Sequence, residues 1–380
     1  MWTLIKWAVQ RVLRAAGYTI VRLPPRVAPA ELGAARAADL KAGSPQTAEI
    51  DGTGKADQPI AMHDRFAEID ALLARATPWS GNVAEGYVAN FLGVMTDGSF
   101  LWNKTGPFGG HYVKTALPTV SSEGEGFFEI ADWFYSARDA RGQYVAISLG
   151  ASYGAQLVGA WKTLQLINPL PCRLVAVDPV PENCERIRKH MADNGIDPDA
   201  HWIMQAAIGV DNQPNLFPVG APGTGLQASM QTNSSLARQA YANFFETSEY
   251  SGRVLKNIFL HNSTGVKHDL SLGYSAEVEF ISAVTLRDVL APFDRVDLLE
   301  VDIQRAEAIV IAPFMNHVNR KVRRVHLGTH GREAHAMMRR LFAASGWEFV
   351  FDYSPDTRHI TERGPLEIGD GILSVVNPKL

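Results

Sequence analysis

Short apolar runs begin to alternate with segments of helical periodicity after about residue 126. Each run has the length and composition of a buried strand, and the segments between them have the spacing of amphipathic helices. Such alternation is typical of βαβ units, whose strands form a parallel sheet with helices on its faces. The pattern therefore predicts an α/β domain with a mostly parallel central sheet, with strands at Tyr144–Leu149, Arg173–Val177, Trp202–Ala207, Val296–Val301 and Val322–Leu327.

The end of the chain carries two further apolar runs. Trp347–Tyr353 and Ile372–Val376 predict an antiparallel pair that closes the sheet. Helix boundaries are marked as well, because Pro181 favours a helix start and Asn194-Gly195 favours the end of the same helix. A further helix is expected at Arg332–Ala344.

The first 125 residues have a different pattern. In residues 1–25, apolar side chains recur at helical spacing among basic ones, which predicts a basic amphipathic helix as an N-terminal extension. Two interpretations stay open: residues 2–14 make peripheral contact with a membrane, or the apolar stripe packs on the domain or on a second subunit of a homo-oligomer. Residues 26–62 predict a flexible linker, residues 63–125 a cap region, and residues 126–380 the main domain.

Charge and cysteine content narrow the possible partners. The 380 residues contain 36 basic and 40 acidic side chains, with a net charge of -4, so we expect no nucleic-acid partner. No apolar run reaches the roughly eighteen residues that a membrane span requires. Lys6, Arg11 and Arg14 interrupt the stretch where a signal peptide would be continuous. With two cysteines in the sequence, we expect no structural disulfide and a cytoplasmic location.

A glycine-rich turn follows the first predicted strand. It leaves backbone N–H groups uncovered by large side chains, so a ligand can approach closely. Three residues separate its two glycines, whereas a dinucleotide pyrophosphate site needs G-x-G-x-x-G, which disfavours a nicotinamide-dependent oxidoreductase. The turn could also be a packing turn that binds nothing. The residues expected to contact a cofactor here are Ser148, Gly150, Ala151, Ser152, Tyr153 and Gly154.

Two other strand ends complete the expected cofactor site. Asp178 lies 28 positions after Gly150, and its carboxylate can accept hydrogen bonds from both hydroxyls of a ribose. Alternatively, Asp178 caps the helix that begins near Pro181. The small residues after Gln205 leave room for a flat adenine ring, whose edge the backbone or Gln205 can bond. The contacts expected on these strand ends are Asp178, Pro179, Gln205, Ala206 and Ala207.

Together these motifs resemble the FkbM-type methyltransferase family, in which a D-V-G-A-N-x-G loop precedes an acidic strand end and an A-A-V-G-D strand. Residues 284–290 (V-T-L-R-D-V-L) and 296–307 (V-D-L-L-E-V-D-I-Q-R-A-E) are similar to the family's T-L-D-D-L-L and D-L-L-K-I-D-V-E-G-A-E segments. Residues 324–330 (R-V-H-L-G-T-H) and Asp370-Gly371 resemble a bacterial subset of that family. The similarity covers about residues 126–378, apart from an insertion.

The resemblance implies a Rossmann-like class I methyltransferase fold with S-adenosyl-L-methionine as cofactor. It also implies methyl transfer to a hydroxyl of a small molecule or glycan, often a sugar of a surface polysaccharide, glycolipid or natural product. The chain departs from the family at Ser148, where an acidic residue is usual, and at Arg305, where glycine is usual. Because of these departures, a non-catalytic or altered module for binding or assembly stays open. The insertion, at about 212–280, is either a lid or a surface excursion.

Three residues are candidates for the base in such a reaction. A hydroxyl is a poor nucleophile at neutral pH, so a base within hydrogen-bond reach assists its attack. Asp302, His326 and His330 lie at or beyond the ends of neighbouring predicted strands, where the ligand crevice of such a sheet opens.

Each candidate also has a structural interpretation. His326 alternates with apolar residues and could be a core histidine, whereas His330, which we expect to be better exposed, could cap or precede the helix at Arg332–Ala344. Asp302 could orient the cofactor or the acceptor instead of taking a proton. These residues lack a recognisable ligand spacing, so we assign no metal ligands from the sequence.

Overall fold

The computed structural model describes residues 65–101, 108–212, 215–219, 277–303 and 306–380, with the backbone alone at 65, 215–219 and 277–280. The predicted N-terminal helix, the predicted linker, most of the insertion and Arg305 lie outside the described residues. Among the helices of the described part, none combines the length and apolarity needed to cross a bilayer. The described helices are α1 (Arg65–Leu73), α2 (Val120–Glu123), α3 (Gly126–Asp139), α4 (Ala155–Ile167), α5 (Pro181–Asp193), α6 (Leu286–Leu290), α7 (Glu307–Ile311), α8 (Met315–Lys321) and α9 (Arg332–Ala344).

The strands of the described residues fall into one large sheet and several two-stranded pairs. Only the large sheet and the pair β8 and β11 bear on the site described below. The strands are β1 (Ser80–Val83), β2 (Tyr87–Ala89), β3 (Met95–Asp97), β4 (His111–Lys114), β5 (Tyr144–Leu149), β6 (Cys172–Asp178), β7 (Trp202–Gln205), β8 (Ala207–Gly209), β9 (Asn215–Val219), β10 (Glu277–Ile281), β11 (Ala283–Thr285), β12 (Leu298–Val301), β13 (Arg324–Thr329), β14 (Glu348–Tyr353), β15 (Thr357–Thr361), β16 (Gly364–Ile368) and β17 (Gly371–Val376).

The large sheet has seven strands in the order β14-β17-β13-β12-β5-β6-β7. Its strands pair in parallel except β17, which runs antiparallel to both β13 and β14. When these seven strands are numbered 1 to 7 along the chain and read from β7 to β14, the order is 3-2-1-4-5-7-6. This is the strand order of a Rossmann-like class I methyltransferase sheet. The predicted fold class, the mostly parallel sheet and the closing antiparallel pair are confirmed. The order reverses between β5 and β12, and ligands of such sheets bind at the carboxyl ends of the strands beside this point.

One predicted strand is divided in two. β7 ends at Gln205, and β8 begins at Ala207 and pairs in parallel with β11 outside the large sheet. The backbone N–H of Ala206 donates to the carbonyl of Asp178 (3.1 Å), and that of Ala207 donates to the carbonyl of Ser282 (2.9 Å). The hydrophobic pattern does not reveal this change of partner, because the run stays largely apolar across it.

Helices cover both faces of the sheet, which explains the continuously apolar strands. All six residues of β5 are buried. Tyr144 and Ala146 belong to a core cluster with α3 and α4, whereas Val145, Ile147 and Leu149 belong to a second cluster with α6, α8 and α9. The carboxyl ends of the strands are thus held on a rigid base, which suits a binding site.

Residues before α3 pack on this base. Phe66 of α1 lies near the rings of Phe127 and Phe128, with centroid distances of 6.2 and 6.5 Å. Met95 of β3 and Asn194, which follows α5, exchange two hydrogen bonds of 2.8 Å each. The segment is therefore fixed beside α3 and α5.

Candidate active site

The glycine turn after β5 contacts the end of β12 directly. Gly150 has φ of 81° and Gly154 has φ of 80°, a left-handed conformation that favours glycine. A Cβ atom on Gly150 would lie 1.9 Å from the carbonyl oxygen of Asp302. A side chain is therefore excluded at Gly150 on two grounds, and its absence brings the turn against the strand that carries Asp302.

The turn also contacts the neighbouring strand β6, as the sequence predicts for a shared cofactor site. The backbone N–H groups of Gly150 and Ala151 donate to the carbonyl of Val177, at 2.9 and 3.3 Å. The N–H of Ser152 donates to Oδ2 of Asp178 at 2.8 Å. The glycine turn and the acidic strand end are therefore adjacent.

Asp178 differs from the expectation in one respect, because the protein itself uses most of its carboxylate. Oδ1 accepts hydrogen bonds from the N–H of Val180 (2.9 Å) and from Nδ2 of Asn183 (3.0 Å), in addition to the bond that Oδ2 accepts from Ser152. A carboxylate has about four lone-pair positions. One position on Oδ2 therefore remains for a ribose hydroxyl, rather than the two that we expected. The capping alternative does not hold, because the N-cap residue of α5 is Val180 and no side chain caps that helix.

Burial affects the charge of this side chain. Asp178 is only 4% exposed, and burial raises its pKa to about 6 although the hydrogen bonds from Val180, Asn183 and Ser152 act in the opposite direction. At pH 7 the group is still mostly ionised, so it can accept a further hydrogen bond.

Other predicted cofactor residues make contacts within the protein. Tyr153 lies between the rings of Phe100 and His190, at centroid distances of 5.8 and 5.5 Å, and Ala151 is buried in the core cluster of α3 and α4. Gly154 precedes α4 as its N-cap residue. Ala151 and Gly154 are buried, whereas Gly150, Ser152 and Tyr153 remain partly exposed.

The predicted adenine-binding segment is partly different as well. Ala206 and Ala207 are buried, and their N–H groups donate to carbonyl groups of the protein. These two N–H groups are therefore not available to adenine, and a hydrogen bond to its edge stays a prediction for Gln205 and the backbone carbonyl groups. Gln205 is exposed and Pro179 is half-buried, so these two keep surface at the strand ends.

Ser148 also departs from the expectation of a cofactor contact. It is fully buried, and its hydroxyl donates to Oε2 of Glu300, its register partner on β12. Burial, followed by the charge of Asp302, raises the pKa of Glu300 to about 8. In the family segments quoted above, an acidic residue occupies the position of Ser148 and lysine that of Glu300. A hydroxyl and a largely neutral carboxyl therefore replace an acid and a base below the glycine turn.

The catalytic candidate His326 is a core histidine in the structure. Its Nδ1 lies 2.8 Å from Oδ2 of Asp132 on α3, and both residues are buried. Asp132 also accepts hydrogen bonds from Arg324 (3.1 Å) and Ser374 (2.7 Å). Burial opposes the charged ring, but the hydrogen bond and charge of Asp132 outweigh it and raise the pKa of His326. The geometry favours the structural interpretation, because this cluster lies between α3 and the sheet.

The candidate His330 is also buried, at 8% exposure, contrary to the expected greater accessibility. Its Nδ1 lies 2.8 Å from Oε1 of the buried Glu307. Its Nε2 lies 3.3 Å from Oδ1 of Asp302 and 3.7 Å from Oδ2 of Asp370. The capping alternative does not hold, because the N-cap of α9 is Gly331 and no side chain caps it.

Asp302 and His330 have opposite charges at neutral pH. Desolvation by the surrounding protein, with repulsion from Glu307 and Asp370, raises the pKa of Asp302 to about 6 despite the attraction of His330. Burial opposes protonation of His330, but the hydrogen bond of Glu307 and the nearby carboxylates raise its pKa to about 9. With 49% of its side chain exposed, Asp302 is thus an ionised group that opens to the crevice, whereas His330 is mostly protonated and cannot take a proton until it loses one.

Sequence reasoning assigned no role to Glu300, Glu307 or Asp370. Glu307 and Asp370 lie in segments that carry the family resemblance, but their distance from His330 depends on how three strand ends meet. The usable signal would have been a titratable side chain at each of three neighbouring strand ends, which are those of Asp302, His330 and Asp370. Arg305, the second departure from the family, lies outside the described residues.

Comparison with known proteins points to methyltransferases. The chain is 22% identical over 324 residues to a protein of Jannaschia sp. (strain CCS1) with the name "Putative methyltransferase", covering 82% of this chain and 98% of that protein. No family model matches the chain. The relative supports a methyltransferase activity and specifies neither an acceptor nor a family.

Solved structures similar to the chain have low sequence identity to it. One is the methyltransferase FkbM of Methylobacillus flagellatus KT (10% identity, 66% of this chain and 54% of that chain, TM-score 0.33). Another is a precorrin-6y C5,15-methyltransferase of Geobacter metallireducens GS-15 (7% identity, 65% and 86%, TM-score 0.33). A third is Aeropyrum pernix fibrillarin with natively bound S-adenosyl-L-methionine (10% identity, 62% and 67%, TM-score 0.29). All three TM-scores lie below 0.5, so the fold assignment rests on the strand order of the large sheet.

Proposed function

We propose that this chain is an S-adenosyl-L-methionine-dependent O-methyltransferase of the FkbM type. Its acceptor is a hydroxyl, on a sugar of a surface glycan, glycolipid or natural product. The observation that carries the proposal is the contact of Gly150 with the carbonyl of Asp302. Through this contact the expected cofactor turn and the most exposed candidate base belong to one crevice, beside the point where the strand order reverses.

The residues at the crevice suit this cofactor. S-adenosyl-L-methionine supplies an electrophilic methyl group on a positively charged sulfur, and it has no phosphate for a helix N-terminus to bind. The partly exposed carboxylates of Asp302 and Asp370 favour a positive charge nearby. Oδ2 of Asp178 keeps a lone pair for a ribose hydroxyl, and Gln205 is exposed for the base.

The chain's own residues then have limited chemistry to perform. Methyl transfer is an in-line displacement, so holding the attacking oxygen on the line of the methyl and sulfur supplies much of the rate enhancement. Asp302 is the group that can accept the hydroxyl proton, because it is ionised at neutral pH and exposed to the crevice. His330 carries a positive charge beside Asp302 and keeps that carboxylate ionised.

Calorimetry with S-adenosyl-L-methionine tests the cofactor assignment. Asp178→Asn keeps the shape of the side chain but replaces an acceptor oxygen by an amide, so we expect cofactor affinity to fall by about 1 to 3 kcal/mol. Asp199→Asn is the matched control, since Asp199 is 85% exposed and lies away from the turn. Equal affinity in the two variants would contradict the role of Asp178.

Turnover separates this proposal from the alternative of a non-catalytic module. One observation favours that alternative. Ser148 stands where the family has an acidic residue, and its hydrogen bond to Glu300 changes the interactions directly below the cofactor turn. Release of S-adenosylhomocysteine is measured with a panel of sugar and small-molecule hydroxyl acceptors. Saturable cofactor binding without release on any acceptor would favour the module, and absence of cofactor binding would overturn both.

A further inference from the structure

Four side chains meet at one edge of the sheet. Asp302 follows β12, His330 follows β13 and Asp370 precedes β17, while Glu307 begins α7. β12, β13 and β17 are neighbours, and β17 is antiparallel, so its start lies beside the carboxyl ends of the other two. Ligand atoms of Asp302, Glu307 and His330 lie within 4.8 Å of one another.

The two nitrogens of His330 have different surroundings. Nδ1 lies 2.8 Å from Oε1 of Glu307, whose carboxylate is fully buried. This contact places a hydrogen on Nδ1 and fixes the orientation of the ring, so in the neutral ring Nε2 carries the lone pair. Histidine ligands of metals usually have such an outer carboxylate on the opposite nitrogen.

The spacing of the remaining donors fits a metal ion. Nε2 of His330 lies 3.3 Å from Oδ1 of Asp302 and 3.7 Å from Oδ2 of Asp370. A tetrahedral ion with bonds of about 2.1 Å holds its ligand atoms about 3.4 Å apart. The side chains of Asp302 and Asp370 are 49% and 60% exposed, so an ion can enter from the crevice.

Charge points in the same direction. Three carboxyl groups surround one imidazole here. A divalent cation suits such a set, because it attracts carboxylate oxygens and binds the neutral form of a histidine ring. Two carboxylates and one imidazole suit ions such as Mn²⁺ and Zn²⁺ better than Mg²⁺, which prefers oxygen ligands alone.

We propose that Nε2 of His330 and the carboxylates of Asp302 and Asp370 bind one divalent transition-metal ion. Glu307 is the positioning residue that orients the ring. The sequence did not reveal this set, because positions 302, 330 and 370 follow no recognised ligand spacing.

The role of the ion in the reaction rests on the proposed function. A hydroxyl oxygen bound to the ion has a lowered pKa, and its proton passes to the oxygen of Asp302 that does not bind the ion. The oxygen then forms a bond to the methyl carbon, while the bond between that carbon and sulfur breaks and its electron pair stays on sulfur. No further reactant is needed.

Titration of the full-length, chelator-treated protein with MnCl₂ tests the site. Electron paramagnetic resonance of free Mn²⁺ and calorimetry should give one saturable site per chain, with weaker binding of MgCl₂. Asp370→Asn and His330→Gln should each weaken Mn²⁺ binding at least about tenfold. Glu367→Gln is the matched control, because it removes an exposed charge three positions before Asp370, on β16, and should leave binding unchanged.

Two results would overturn the inference: no saturable binding, or binding that Asp370→Asn and His330→Gln leave at the wild-type affinity, which would locate the ion elsewhere. Thermal melting of Asp370→Asn, followed by circular dichroism, tests whether loss of the fold explains weaker Mn²⁺ binding. We expect little loss of stability, because the Asp370 side chain is 60% exposed. Cofactor calorimetry on the metal-free protein keeps the two proposals separate. Failure to bind cofactor contradicts the proposed function and leaves the Mn²⁺ result standing, whereas failure to bind Mn²⁺ alone contradicts the metal site.

Discussion

The structure contains two clusters of a histidine and a buried carboxylate, and their histidines are four positions apart along the chain. The clusters differ in the groups that surround the imidazole ring. His326 and His330 each have Nδ1 at 2.8 Å from a buried carboxylate, that of Asp132 or Glu307. His326 has Glu300 as its register partner and lies inside the protein. The Nε2 of His330 faces Asp302 and Asp370, which open to the crevice. A contact between histidine and a buried carboxylate therefore lies inside the core in one place and, in our proposal, orients a metal ligand in the other.

Substitution at the inner cluster should have the largest effect. Asp132→Ala removes the carboxylate that Arg324 and His326 share inside the protein, so we expect the free energy of unfolding to fall by about 3 to 5 kcal/mol. Urea denaturation measures this loss. Glu367→Gln on the surface is the control and should change stability by less than about 0.5 kcal/mol. A loss below about 1 kcal/mol in Asp132→Ala would show that the inner cluster is not structural.

At the outer cluster the expected change is in rate rather than in stability. Asp302→Asn keeps the size of the side chain but cannot accept a proton, so kcat should fall about a hundredfold, or ~2.7 kcal/mol. Stability should change by less than about 0.5 kcal/mol, because the side chain is half exposed. Turnover with an accepted hydroxyl substrate and a parallel urea titration measure the two quantities. An unchanged kcat would remove Asp302 from the reaction.

The pH dependence of the free energy of unfolding should show a smaller effect, which comes from the outer cluster. The pKa of His330 in the folded protein is about 9, above the ordinary value of 6.5, so the folded chain holds a proton that the unfolded chain has released in this range. The stabilisation is fully present below pH 6.5 and is lost as the pH rises through 9.

In the chelator-treated, metal-free protein, the variant His330→Gln should therefore lose stability less steeply between pH 6.5 and 9 than the wild type. The pKa of Glu300 is about 8 in the folded protein against an ordinary value of 4.5, so its ionisation also lowers the stability as the pH rises to 8. Because Glu300 is present in both proteins, the comparison with the wild type isolates the contribution of His330. Urea denaturation at several pH values gives the two slopes. Identical slopes would show that His330 is not protonated preferentially in the folded protein.

Features that depend on local sequence could be predicted. The strands follow from apolar runs, the start of α5 from Pro181, and the bare turn from Gly150 and Gly154, because each signal lies within a few residues. The division between β7 and β8 could not, since it depends on pairing with β11, about 75 residues later.

The candidate site was harder to predict than the fold. Asp302, Glu307, His330 and Asp370 span almost 70 positions, and only the order of the strands brings them together. His326 and His330 could not be distinguished in the sequence, because the difference depends on which carboxylates their rings meet. Asp178 was placed beside the turn correctly, but the hydrogen bonds of Val180 and Asn183 to it depend on the local path of the chain.

Ser148, Glu300, His326 and Ser374 are register partners across β5, β12, β13 and β17. Neighbouring side chains of a strand alternate between its two sides. If β12 slipped by one position, Glu300 would enter the apolar cluster that holds Leu299 and Val301, and Val301 would meet the hydroxyls and the imidazole. This row of hydrogen-bonding groups thus raises the free energy of sheets in which the strands pair in the wrong register. It selects one register of the four strands during folding, where apolar contacts alone would tolerate several.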